Sequence, residues 1–68
     1  MNPDVFNTDV RKFLKKVGVT SQQQIETAVQ DALEKGELGT DRPLMVSMTL
    51  TIKAVGVTHV VEGKINLR

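Results

Sequence analysis

The chain has 68 residues, one histidine, no cysteine and a formal net charge of +1. A chain this short makes one domain that buries only about 60% of its unfolded surface. The missing cysteines exclude a disulfide framework, a thiolate nucleophile and a cysteine metal site. One histidine excludes a multi-histidine metal site within a single chain, and the near-neutral charge argues against strong nonspecific attraction to nucleic acid or anionic membranes.

No apolar run approaches the roughly 20 residues of a membrane span. Met1-Asn2-Pro3-Asp4 lacks the basic and apolar regions of a signal peptide. The expectation is a soluble, cytoplasmic protein of bacterial style. No internal repeat or low-complexity segment is visible, since Gln22-Gln23-Gln24 is too short to count as one.

The first predicted helix covers about residues 3–17. Asn2 is a good N-cap, Pro3 fits the first helical position, and Asp4 suits the positive helix end. Phe6, Val10, Phe13, Leu14 and Val17 follow at helical spacing and make one stripe. The two phenylalanines are the only aromatic residues, so they are the expected anchors of a core. Arg11, Lys12, Lys15 and Lys16 lie away from the stripe, and Gly18 reads as a C-terminal stop.

A second helix is predicted over about residues 21–35, after the short link Gly18-Val19. Thr20 with Gln23, or Ser21 with Gln24, fits a capping box. The second stripe is Ile25, Ala28, Val29, Ala32 and Leu33, and Gly36 is the expected C-terminal residue of the cap. Glu37 to Pro43 reads as a loop, from Gly39, Asp41 and Pro43, with Leu38 turned inward.

Two strands are predicted over about residues 44–53 and 57–67. In the first, Leu44, Val46, Met48, Leu50 and Ile52 alternate with Ser47, Thr49, Thr51 and Lys53. That period of two marks a strand with one buried face. In the second, the set is Val57, His59, Val61, Gly63, Ile65 and Leu67. Both sets share a face if Ile52 lies opposite His59, Leu50 opposite Val61, Met48 opposite Gly63, Val46 opposite Ile65 and Leu44 opposite Leu67. Ser47 then meets Lys64, and Thr49 meets Glu62, on the outer face. The loop centres on Val55-Gly56, where Gly56 can adopt positive φ. A slip of one residue would turn an apolar set to water and is disfavoured. A slip of two stays open, since Val55 does not favour a primed turn.

These elements give an α+β fold of order ααββ, a single domain over residues 1–68 with two N-terminal helices on one face of a C-terminal antiparallel hairpin. An isolated hairpin is marginal in water and needs such a cover. Both strands would be edge strands, and two chains pairing edge to edge would make a four-stranded sheet. A homodimer is therefore expected, because association adds buried area that a small chain lacks.

The chain resembles a family of small bacterial proteins of unknown function. The residues that carry the likeness are Phe6 with Val10-Arg11-Lys12-Phe13-Leu14-Lys15, then Val17-Gly18-Val19-Thr20-Ser21-Gln22, Met48-Thr49-Leu50-Thr51-Ile52 and His59-Val60-Val61-Glu62-Gly63. They span nearly the whole chain. The resemblance implies a helical N-terminal half and a β C-terminal half, and it brings no activity, ligand or catalytic residue.

Among candidate chemistries, Arg11, Lys12, Lys15 and Lys16 form the one basic cluster, a patch that could contact phosphates. The turn Gly18-Val19-Thr20 with a following hairpin resembles a helix-turn-helix with a wing. The bland alternative is a solvated helix face. Against DNA binding, the helix that would read bases carries Glu26, Asp31 and Glu34 and no arginine. The hairpin has no aromatic residue on which RNA bases could stack. His59 could act as a pH switch or a base, but half-burial near the hairpin end is the plainer reading, and Glu62 falls on the other face. Thr49, Thr51 and Glu62 read as solvent-facing, and Gly36-Glu37-Leu38-Gly39 is no nucleotide loop. No catalytic residue, metal site or cofactor is expected. The reading is a non-enzymatic interaction module, partnered by its own copies or by another protein and associating through a hairpin edge. Weak nucleic-acid binding through the basic cluster is the alternative. An enzyme is the third reading, since 68 residues leave little room for a pocket unless an oligomer builds one between chains.

Overall fold

A computed structural model describes residues 1–68. In chain order it has one long helix, α1 (Pro3–Glu34), a strand β1 (Leu44–Ile52), a short 3-10 turn over Lys53–Val55, and a strand β2 (Val57–Ile65). The chain divides into two compact units, Met1–Leu38 and Gly39–Arg68.

The first unit corrects the expected helix count, because one helix runs where two were predicted. Its start is set by local chemistry. The Asn2 side-chain oxygen accepts hydrogen bonds from the backbone N–H groups of Asp4 at 3.0 Å and Val5 at 3.3 Å. These are two of the donors a helix start leaves without partners. Pro3 occupies the first turn at no hydrogen-bonding cost, and Asp4 complements the positive end.

Gly18 does not stop the helix. A glycine inside a helix costs about 1 kcal/mol relative to alanine. A break there would leave orphan N–H and C=O groups on both sides and require a second nucleation. No proline forces such a break, since Pro3 and Pro43 are the only two. Thr20, expected to cap a second helix, bonds back within the first: its hydroxyl donates to the Lys16 carbonyl at 2.8 Å. Ser21 is likewise an interior helical residue. Continuity also keeps Val17, Ser21 and Ile25, at four-residue steps, on one side of the helix. The result is about 48 Å long at 1.5 Å per residue.

The stop comes where it was expected. Gly36 adopts φ of 70°. Its N–H donates to the Leu33 carbonyl at 3.2 Å, and the Glu37 N–H donates to the Ala32 carbonyl at 2.9 Å. That is the Schellman pattern, which satisfies carbonyls the helix end would otherwise orphan. An exposed ion pair joins Asp31 and Lys35 at 3.0 Å, and the Gln22 amide donates to the Glu26 carboxylate at 2.9 Å. Each adds a few tenths of a kcal/mol at most.

The second unit is an antiparallel two-stranded sheet. Leu44 lies opposite Ile65, Val46 opposite Gly63, Met48 opposite Val61, Leu50 opposite His59 and Ile52 opposite Val57. The apolar sets of the two strands share a face, as their alternation requires. The register differs by two residues from the one expected, so Ile52 meets Val57 rather than His59, and Leu67 falls outside the ladder. The loop explains the shift. Lys53–Val55 form a 3-10 turn, and the Gly56 N–H donates to the Lys53 carbonyl at 3.3 Å. Gly56 then takes the left-handed conformation, φ 63° and ψ 32°, which returns the chain into β2. A four-residue loop closes at lower entropic cost than the six residues of the expected register. It also adds the Ile52–Val57 pair.

Candidate interaction surfaces

No residue of the chain is buried, apolar or polar. Its functional groups are therefore surfaces, and the helix carries the longest of them. Phe6, Val10, Phe13 and Leu14 are 44%, 42%, 52% and 56% exposed. Farther along the same stripe Val17, Ser21, Ile25, Val29 and Ala32 are half-buried. Both aromatic residues of the chain therefore lie in the barest part of the stripe. Singly exposed apolar residues are ordinary, but a continuous exposed run marks a contact surface. The expectation that the phenylalanines anchor a core is not met, because neither is enclosed.

The hairpin presents two kinds of surface. On the apolar face Leu44, Val46, Leu50 and Ile65 are half-buried, while Met48, Ile52, Val57 and Val61 are exposed. The outer face pairs Met45 with Lys64, Ser47 with Glu62, Thr49 with Val60 and Thr51 with Thr58. It is less polar than alternation alone suggested, because Met45 and Val60 are exposed on it. The sheet has only two strands, so each has one edge whose backbone groups lack a strand partner. Neither strand contains a proline or a bulge that would blunt that edge.

Arg11, Lys12, Lys15 and Lys16 are all exposed on α1. None has an ion-pair partner within the chain, since Asp31 and Lys35 make the one salt bridge. The comparison with a helix-turn-helix fails, because Gly18, Val19 and Thr20 are helical and no turn exists there. His59 is exposed rather than half-buried and faces Leu50 across the ladder. Glu62 lies opposite Ser47 on the other face, so the two make no dyad. No three His, Cys, Asp or Glu residues converge as metal ligands would. No helix is long and apolar enough to cross a membrane.

An open cleft of about 160 Å³ lies within the second unit, lined by Thr40, Asp41, Arg42, Pro43, Asn66, Leu67 and Arg68. Its two arginines come from segments that carry no motif, so periodicity could not have found it. The continuous helix stripe was missed for another reason. Its signal, Val17-Ser21-Ile25, spans Gly18, a residue type that commonly ends helices.

A family model described as a family of unknown function (DUF6494) matches residues 1–68. No curated protein and no solved structure matches the chain.

Proposed function

We propose, for a chain that belongs to the family of unknown function DUF6494, the role of a small non-enzymatic interaction module that associates with its own copies. One observation carries this reading. The composition is 40% hydrophobic, yet no residue of the protomer is buried. Burial of apolar surface is the main favourable term in folding, at about 25 cal/mol per Å². A chain without an interior gains that term by acquiring one from a partner.

The hairpin edge is one route. Each strand offers nine residues of backbone with one unpaired side and neither proline nor bulge, although β2 carries Glu62 and Lys64. Edge-to-edge pairing of two chains makes a four-stranded sheet and satisfies those groups. The partner is a second copy, and the compartment is the cytoplasm. No observation gives comparable support to nucleic-acid binding by the basic cluster.

Sedimentation equilibrium over a wide concentration range tests the reading. The expected result is a dimer whose outer-edge strand amides exchange slowly with solvent. A strict monomer with a cooperative thermal transition would overturn it.

A further inference from the structure

The two edges of the hairpin are chemically unlike. β1, Leu44–Ile52, has nine residues with no charge, no glycine and no proline. β2 contains Glu62 and Lys64, with Gly63 between them. Charge on an edge strand discourages a further strand from pairing there, and glycine weakens a strand interior. An uncharged edge rich in β-branched residues, here Val46, Thr49, Thr51 and Ile52, invites pairing and is a hazard when bare. The edge of β1 is bare within the chain. Backbone hydrogen bonds outside the helix and the ladder lie at the helix ends and in the hairpin loop, and none reaches β1. The chemistry of such an edge defines its complement, because a row of N–H and C=O groups is matched by another extended strand.

Two copies can join edges in three ways. Pairing β1 with β2 of the next copy is head-to-tail, so it leaves a free edge at each end and continues into a ring or an open filament. Pairing β2 with β2 buries the charged edge and leaves the two uncharged edges outermost. Pairing β1 with β1 uses the same patch on both chains and closes. Its outermost strands are then the two copies of β2, whose Glu62 and Lys64 stop further growth. Side-chain parity fixes the direction, since residues directly opposite each other share a face of the sheet. Antiparallel overlap of all nine residues sets Met48 on the two-fold axis, Val46 opposite Leu50 and Leu44 opposite Ile52. On the other face Ser47 lies opposite Thr49 and Met45 opposite Thr51. A parallel pair, related by a two-fold axis along the strands, would turn the two apolar faces to opposite sides of the sheet.

We propose that the edge of β1 is the association surface and that its occupant is β1 of a second copy, antiparallel, in a four-stranded sheet of order β2-β1-β1-β2. The inference rests on the self-association reading and adds to it the strand, the direction and the register. The difference in charge between the two strands carries it: the edge that pairs is the one without charge, and the edge that stays in water is the one with it.

One substitution made on each strand tests this. Met48 and Val61 lie opposite each other in the hairpin, each is the middle residue of its strand, and both are exposed. Met48→Lys sets two like charges directly opposite each other at the axis, and sedimentation equilibrium of the full chain is expected to show the dissociation constant raised about fivefold. In Val61→Lys the two charges lie three strand spacings apart, about 14 Å, and the constant is expected to stay within about twofold. An equimolar mixture of Met48→Lys and Met48→Glu is expected to recover the dimer, because opposite charges then meet across the axis. The reverse ranking, with Val61→Lys the weaker dimer, would move the contact to β2 and overturn the proposal. A dimer indifferent to both substitutions, or one that grows beyond two chains, would also overturn it and leave self-association standing. A monomer at every concentration would remove both. Circular dichroism checks that each variant is folded. The unsubstituted protein gives a second reading: in a mixture of isotope-labelled and unlabelled chains, Overhauser contacts are expected between Ser47 of one copy and Thr49 of the other. A dimer without them overturns the proposal.

Discussion

Replacing Gly18 by alanine decides by its sign whether α1 is one helix or two. In the structure Gly18 is an interior helical residue, its φ is not positive, and a Cβ built on it meets no atom within 4 Å. Alanine at such a site gains the helix propensity that glycine lacks, about 1 kcal/mol. Nothing in the protomer opposes that gain by crowding. Had Gly18 ended a first helix in the left-handed conformation, the same change would cost about 1–2 kcal/mol instead. The two arrangements thus differ by about 2–3 kcal/mol in the effect of one methyl group. For a chain of this size a 1 kcal/mol gain raises the melting temperature by about 4–8 °C. Thermal and urea melts followed by far-ultraviolet circular dichroism read it out. Protein concentration must be matched between variants, because association makes the midpoint concentration-dependent. A drop in midpoint of similar size would refute the continuous helix and restore a break at residues 18–20.

Gly36 and Gly56 should respond the other way: each has positive φ, so alanine at either is expected to cost about 1–2 kcal/mol in the same melts. A gain at Gly36 would contradict the Schellman stop. Asn2→Ala removes the side-chain acceptor of the Asp4 and Val5 N–H groups and is expected to cost about 1 kcal/mol, with Asn2→Asp retaining most of the stability. Cross-strand nuclear Overhauser contacts are expected to join Thr49 with Val60 and Ser47 with Glu62. Contacts from Thr49 to Glu62 instead would show that the ladder has slipped by two residues. In fluorescence anisotropy at low salt, mixed-sequence duplexes are expected to bind weakly or not at all. Tight binding abolished when Lys12, Lys15 and Lys16 become alanine would revive the basic cluster as a nucleic-acid site.

Features whose physics is local were legible in the chain itself. Asn2-Pro3-Asp4 starts a helix because capping, a preset φ and a favourable charge all act within one turn. Gly36 ends it because only a residue tolerant of positive φ completes that stop. The shared apolar face of the hairpin follows from side-chain parity, and Gly56 in the loop follows from the same tolerance as Gly36. The basic cluster was also legible as a set of neighbours on one helix, though not its lack of ion-pair partners.

What needed the folded chain were choices between arrangements that local rules score alike. A glycine followed by Thr and Ser looks the same whether it ends a helix or is carried through one. The outcome turns on cooperativity, since one continuous helix avoids two frayed ends for the modest cost of a single interior glycine. Two registers that differ by two residues present the same faces, so alternation cannot separate them. The closing geometry of Lys53–Gly56 does, through one hydrogen bond and one left-handed residue. The fate of the phenylalanines is the third such choice. Helical spacing requires that Phe6 and Phe13 share a stripe, but how far a stripe is covered is not a local property, and Phe6 and Phe13 are 44% and 52% exposed.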